Sequence, residues 1–237
     1  MNTSSQSSII VSGLEILIEK KDIKNLHIGV YPPSGRIRVA APVHLDNEAV
    51  RLAVISKLSW IKKRQKAFLN QPRQTLREMV SGESHYLFGK RYLLNVIYRY
   101  GKHEIVKKHS KLDLYVKENT TPANRLQVLE EYYRDNLKHE LKVLVDKWQK
   151  NMGVELSGWK IQKMKTKWGS CKIEDKKALF NLELAKVPRE CIEYIVVHEL
   201  LHLKERHHSD NFKTLLDECM SDWQSRKEQL KLCRIGY

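Results

Sequence analysis

At 237 residues with 41% hydrophobic content, the chain is long enough to bury one sizeable core or two small ones without covalent staples. Its four cysteines, Cys171, Cys191, Cys219 and Cys233, form no C-x-x-C pair, which argues against both a thiolate zinc ribbon and a disulfide framework. No apolar run approaches ~20 residues and residues 1–8 lack the regions of a secretory signal, so the expectation is a cytoplasmic protein with no membrane segment and a flexible N-terminus over 1–8.

The formal net charge of +15 favours anionic partners. Basic residues recur over 57–66, 102–111 and 160–167 with aromatic and aliphatic residues between them. That pattern admits nucleic acid as a partner and equally describes a solvated face.

In chain order, apolar residues alternate at Leu14, Ile16, Ile18, then Leu26, Ile28, Val30, then Ile37, Val39, Ala41, which predicts three strands. Pro32-Pro33-Ser34-Gly35 predicts a hairpin between the last two. Asp46 is a candidate cap for one helix in which Ala49, Leu52, Ala53, Leu58 and Ile61 recur up to about Asn70, where the Pro72 region breaks it. Residues 84–116 read as strands again, with a tight turn between Tyr86 and Tyr92 and alternation at Leu112, Leu114 and Val116. Residues 9–120 are therefore expected to be β-rich with one helix.

Pro122 opens a long helix with Leu126, Leu129, Tyr133, Leu137, Leu141, Leu144 and Trp148 on one face, a stripe that reads as core. After Gly153, 159–164 and 178–184 are strand candidates, and Pro188 is placed to open a final helical region. The expected class is α+β, with 121–237 as the second region. The sequence has no repeat of 20 to 50 residues, which argues against a solenoid.

His198-Glu199-Leu200-Leu201-His202 fits H-E-x-x-H. At ~100° per residue an i, i+4 pair lies about 40° apart around a helix, so both imidazoles face one ion. The flanking residues are apolar nearly all round, and a carboxylate buried among them needs a cationic neighbour. Catalytic zinc commonly takes three protein ligands and leaves a fourth position open. The third ligand is sought at His207 or His208, because Ser209 caps a following helix and the chain must bend just before it.

Lys167-Trp168-Gly169-Ser170-Cys171, Phe180-Asn181-Leu182 with Pro188, and His198 through His208-Ser209 to Phe212 together resemble the YgjP-like metallopeptidase-domain proteins, relatives of the SprT and WLM zinc proteases. Ala41-Pro42, Lys57 to Ile61 and Gly89 to Tyr92 extend the likeness more weakly into the first half. The resemblance implies His208 as third ligand and a zincin-like catalytic half, with a small sheet over the active-site helix and its edge along the substrate cleft.

Zinc lowers the pKa of a water to ~7, and Glu199 is placed to take its proton and return it to a leaving amine. His207, Ser170 and Asn181 are candidate oxyanion or substrate contacts. Trp168 reads as a packing anchor, Gly169 as a turn, and Cys171 as a buried turn residue. The leading reading is a zinc metallopeptidase acting on protein or peptide. Two others stay open: a zinc hydrolase of a nucleotide or another non-peptide substrate, and a basic nucleic-acid-binding protein with structural zinc.

Overall fold

Alternating apolar residues and short turns build the first half of the chain into strands, and the computed structural model describes residues 6–31, 34–70 and 78–233. Pro32, Pro33 and Pro72, on which the hairpin and helix-break expectations rest, lie outside them. Packing divides the chain into two units, Met1–Arg73 and Gln74–Tyr237, whereas the sequence suggests a boundary at 120/121.

Unit 1 holds β1 (Gln6–Val11), β2 (Leu14–Lys21), β3 (His27–Tyr31) and β4 (Arg36–Pro42), in spatial order β1-β2-β4-β3. β1 begins within the segment expected to be flexible. One sheet face carries Ile16, Ile18, Ile37, Val39 and Ala41, which close a core with Val50 and Val54 of α1 (Asn47–Ser56) and Ile61 of α2 (Leu58–Asn70). The single helix expected here is two helices, because the chain caps at Lys57, whose φ of −109° leaves the helical region. Asp46 caps α1, its side chain accepting from the Ala49 amide at 2.7 Å.

Unit 2 opens with β5 (Ser84–Leu87), β6 (Lys90–Tyr98), β7 (Glu104–Lys107) and β8 (Lys111–Val116), in the order β5-β6-β8-β7. This repeats unit 1 strand for strand. In each unit the first two strands form an antiparallel hairpin, the second and fourth run parallel, and the third pairs antiparallel with the fourth. Both hairpins turn through two residues with positive φ, Ser12-Gly13 (49° and 77°) and Phe88-Gly89 (48° and 78°), which is type I′ geometry. Core residues match by register: Ile18 opposite Val39 corresponds to Leu94 opposite Leu112. A side-chain-capped helix follows each sheet. The duplication lies in connectivity, at a spacing beyond the 20 to 50 residues of a solenoid repeat.

The second helix is α3 (Pro122–Met152), capped by Thr121 and ended by Gly153 in the left-handed conformation. Its stripe of Leu129, Tyr133, Leu137, Leu141 and Leu144 is buried, joining Leu87, Leu94, Leu112 and Leu114 from the sheet. This shared core keeps residues 78–120 with the helices that follow.

β9 (Gly158–Gln162), β10 (Gly169–Lys172) and β11 (Lys177–Asn181) form a three-stranded sheet in the order β10-β11-β9. A 3-10 turn at Leu182–Lys186 leads into α4 (Arg189–Leu201), then α5 (Asp210–Cys219) and α6 (Trp223–Leu232). The fold is mixed α+β, β-rich first and helical after. No helix among the described residues is long and apolar enough to cross a membrane.

Candidate active site

α4 is buried on nearly every side, through Cys191, Ile192, Tyr194, Val196, Val197, Leu200 and Leu201. Its N-terminus is fixed by the β5–β6 hairpin. Phe88 N donates to Ala185 O at 2.8 Å and Gly89 N to Lys186 O at 3.1 Å. A Cβ on Gly89 would stand 2.9 Å from Pro188 Cγ, so glycine serves here both for its positive φ and for this close approach. Pro188 caps the helix rather than opening it. Farther along, Glu193 accepts from Lys147 and Trp148 of α3 and from Arg226 of α6. These three donors hold its carboxyl well below the usual range, at about 2, against the opposing effect of burial.

α4 ends at Leu201 with His202 as its C-cap. Three backbone bonds complete a last turn, from the Leu203, Lys204 and Glu205 amides to the Leu200 and Leu201 carbonyls. Glu205 then organises the bend. Its Oε1 accepts from the His207 amide at 3.2 Å, and its Oε2 from the Asn211 side chain at 3.1 Å. Ser209 caps α5, accepting from the Phe212 amide at 3.2 Å.

The bend brings His208 back over α4. Ring nitrogens of His198, His202 and His208 all lie within 4.8 Å of one another, with the Nε2 atoms of His198 and His208 2.9 Å apart. His207 is exposed and outside this cluster. Beneath the three rings lies Phe212, its centroid 5.1 Å from that of His198, 5.0 Å from His202 and 4.9 Å from His208. Tyr194 packs beside His198 and stacks on Trp223.

The donor set fits a small dication. Nitrogens ~2.1 Å from one tetrahedral ion stand about 3.4 Å apart, within the spread seen here. Burial first, then His202 and His208, pushes the His198 imidazole down to about 3, so it is neutral at physiological pH and has a lone pair to offer. His202 is likewise lowered, chiefly by burial. Its Nδ1 faces Glu205 O at 3.3 Å, which turns Nε2 toward the cluster.

Glu199 is 5% exposed, and burial raises its carboxyl to about 8 despite the opposing charge of Lys167. β10, an edge strand, packs against it. A Cβ on Gly169 would lie 2.5 Å from Glu199 Oε1, so Gly169 is a point of close approach inside a strand rather than a turn. Successive strand residues alternate faces, which puts Cys171 on the Gly169 side and Ser170 on the other. The Cys171 thiol is raised to about 11, first by burial and then by Glu199.

Asn181 is fully buried. Its Nδ2 donates to Met164 O and Lys167 O, and its Oδ1 accepts from the Met164 and Glu183 amides. The amide is thus committed to shaping the 164–168 loop beside Glu199, leaving no donor for a bound carbonyl. Three of the seven residues singled out from sequence therefore stand apart from the cluster: His207 in solvent, Ser170 on the opposite strand face, and Asn181 beneath the loop. The contributions of Phe212, Gly169 and Glu205 were not foreseen, because each depends on contacts across the fold.

Among solved structures the chain is similar to the metallopeptidase zymogen of Methanocaldococcus jannaschii, jannalysin, at 25% identity over 39% of this chain and 87% of that one, with a TM-score of 0.35. No curated protein matches. The model of the YgjP-like metallopeptidase domain matches residues 25–232, nearly the whole length, and the chain belongs to that family.

Proposed function

We propose that the chain is a zinc-dependent peptidase in which His198, His202 and His208 hold the metal and Glu199 is the general base. The carrying observation is the convergence of three imidazoles beside a buried carboxyl. Zinc at that position supplies a Lewis acid that lowers the pKa of a water to ~7 and polarises a carbonyl.

Glu199 does the proton work. In the metal-free chain burial keeps its carboxyl protonated near neutrality, and a dication beside it favours the carboxylate. The carboxylate takes a proton from the attacking water, and the same oxygen returns it to the leaving amine. Gly169 lets the β10 edge lie against this carboxyl. In our reading that edge lines the substrate cleft, as in a zincin-like arrangement. His207 is left as the candidate substrate contact, since the Ser170 and Asn181 positions do not offer donors toward Glu199.

A closed structural zinc is the less favoured reading, since three imidazoles leave a tetrahedral position open and need no acid beside them. Incubating the zinc-loaded protein with peptide pools and with nucleotides, alongside Glu199→Gln, tests the proposal. Peptide cleavage by wild type and none by the variant, with equal zinc in both, is expected. Nucleotide hydrolysis without peptide cleavage would replace the substrate class. Retained cleavage in the variant would remove Glu199 as base.

A further inference from the structure

The three histidines belong to unit 2, and the helices of unit 1 have a composition of their own. Residues 1–73 carry twelve Lys and Arg against five Asp and Glu, so under a third of the chain holds +7 of the +15 charge. The excess concentrates on the helices. Between Asn47 and Lys66 stand Arg51, Lys57, Lys62, Lys63, Arg64 and Lys66, with one acid, Glu48, which already accepts from Arg51 at 2.8 Å. Lys57, Lys62, Lys63 and Lys66 are exposed and have no carboxylate partner among the described residues. Like charges gathered without counter-charges repel one another, and a polyanion relieves that repulsion.

In the middle of this charge stands Trp60, 44% exposed. Lys63 and Arg64 lie three and four residues farther along α2, one turn from its ring, and Lys57 stands at the start of the helix. The orientation is fixed from below. Ile61 is fully buried, and Gln65 donates to Gly35 O at 2.9 Å on the β3–β4 turn. Over the described residues 58–66, α2 therefore offers solvent an aromatic side chain set among cations. Exposed aromatic rings among lysines are the elements with which proteins grip single strands, stacking a base and neutralising the neighbouring phosphates. A helix lying on a membrane needs a continuous apolar face instead, and over the described residues 58–66 Ile61 is turned inward.

We infer that the α2 face of unit 1 binds single-stranded nucleic acid, with Trp60 stacking on a base and Lys57 and Lys63 meeting phosphates. The inference rests on unit 1 alone and is independent of the peptidase reading.

Fluorescein-labelled oligothymidylate titrated with the full-length zinc-loaded protein at several salt concentrations tests it. Affinity should fall as salt rises. Lys57→Gln/Lys63→Gln should flatten the log–log salt slope by about 1.4, from ~0.7 per phosphate on single strands. Trp60→Ala should weaken binding roughly 5- to 150-fold while leaving the slope in place. A thermal unfolding transition matching wild type in both variants shows that unit 1 is folded in each, and the two exposed lysines serve if Trp60→Ala is not. Absence of binding at low salt, equal binding by both variants, or tighter binding to phosphatidylserine vesicles than to the oligonucleotide would overturn the inference.

Discussion

The hairpin tip of β5–β6 and that of β1–β2 have the same geometry and opposite surroundings. Phe88-Gly89 bonds through its backbone to Ala185 and Lys186 and lies against Pro188, fixing the start of the helix that carries His198 and Glu199. Ser12-Gly13 is exposed, and a Cβ on Gly13 would meet nothing within 4 Å. The interiors differ in the same way. The buried polar or charged residues among those described, His85, Asp113, Thr120, Asn181, Glu183 and Glu199, all belong to unit 2. One connectivity thus serves as an apolar module in unit 1 and as the footing of a polar site in unit 2. The sheet by itself makes no site; what its hairpin tip touches decides.

The sharpest way to separate the two modules is to empty each core. Phe212→Ala should cost about 3–5 kcal/mol by large-to-small cavity formation and also lose zinc, because the three histidine rings rest on that side chain. Ile18→Ala, at an equally buried position in unit 1, should cost about 2–5 kcal/mol and leave zinc content unchanged. Thermal unfolding with metal analysis on both variants checks this. Zinc lost from Ile18→Ala would couple the units.

A smaller effect follows from the buried carboxyl. Burial raises Glu199 to about 8 in the folded chain against an ordinary value of 4.5. Between those values the unfolded state releases a proton that the metal-free native state keeps. Stability is therefore lost as pH rises from about 4.5 to about 8, by roughly 3 kcal/mol at pH 7. Metal-free Glu199→Gln should be more stable than metal-free wild type at pH 7, with the gap closing toward pH 4.5. Denaturant titrations at the two pH values measure it, and a pH-independent gap would contradict the assignment.

The smallest effect compares the tips directly. Gly13→Ala should cost about 1 kcal/mol, the penalty of a positive φ, with no effect on zinc. Gly89→Ala incurs the same penalty and also presses on Pro188, so its zinc affinity should fall as well. Equal zinc affinity in both variants would remove the footing role of the hairpin.

The pair His198 and His202 was legible because helical spacing alone puts i and i+4 on one face. His208 was narrower: the Ser209 cap located the bend, the family resemblance implied His208 over His207, and only the structure shows it is His208 that joins the cluster. Short strands were the hardest to read. β10 is Gly-Ser-Cys-Lys, with no alternation of its own, and is a strand because it pairs with β11. β1 begins in polar residues, so composition hid its start. Asn181 looked like a substrate contact because its type suits one. Only the tertiary structure shows its amide occupied by loop carbonyls and amides.

The central claim, that three histidines on α4 and the following bend form one metal site, is tested most directly by quantifying zinc in purified His208→Ala and His207→Ala. The account predicts zinc absent from His208→Ala and near one ion per chain in His207→Ala, because His208 joins the cluster and His207 stands in solvent. Zinc lost from His207→Ala but kept in His208→Ala, or kept in both, would contradict it.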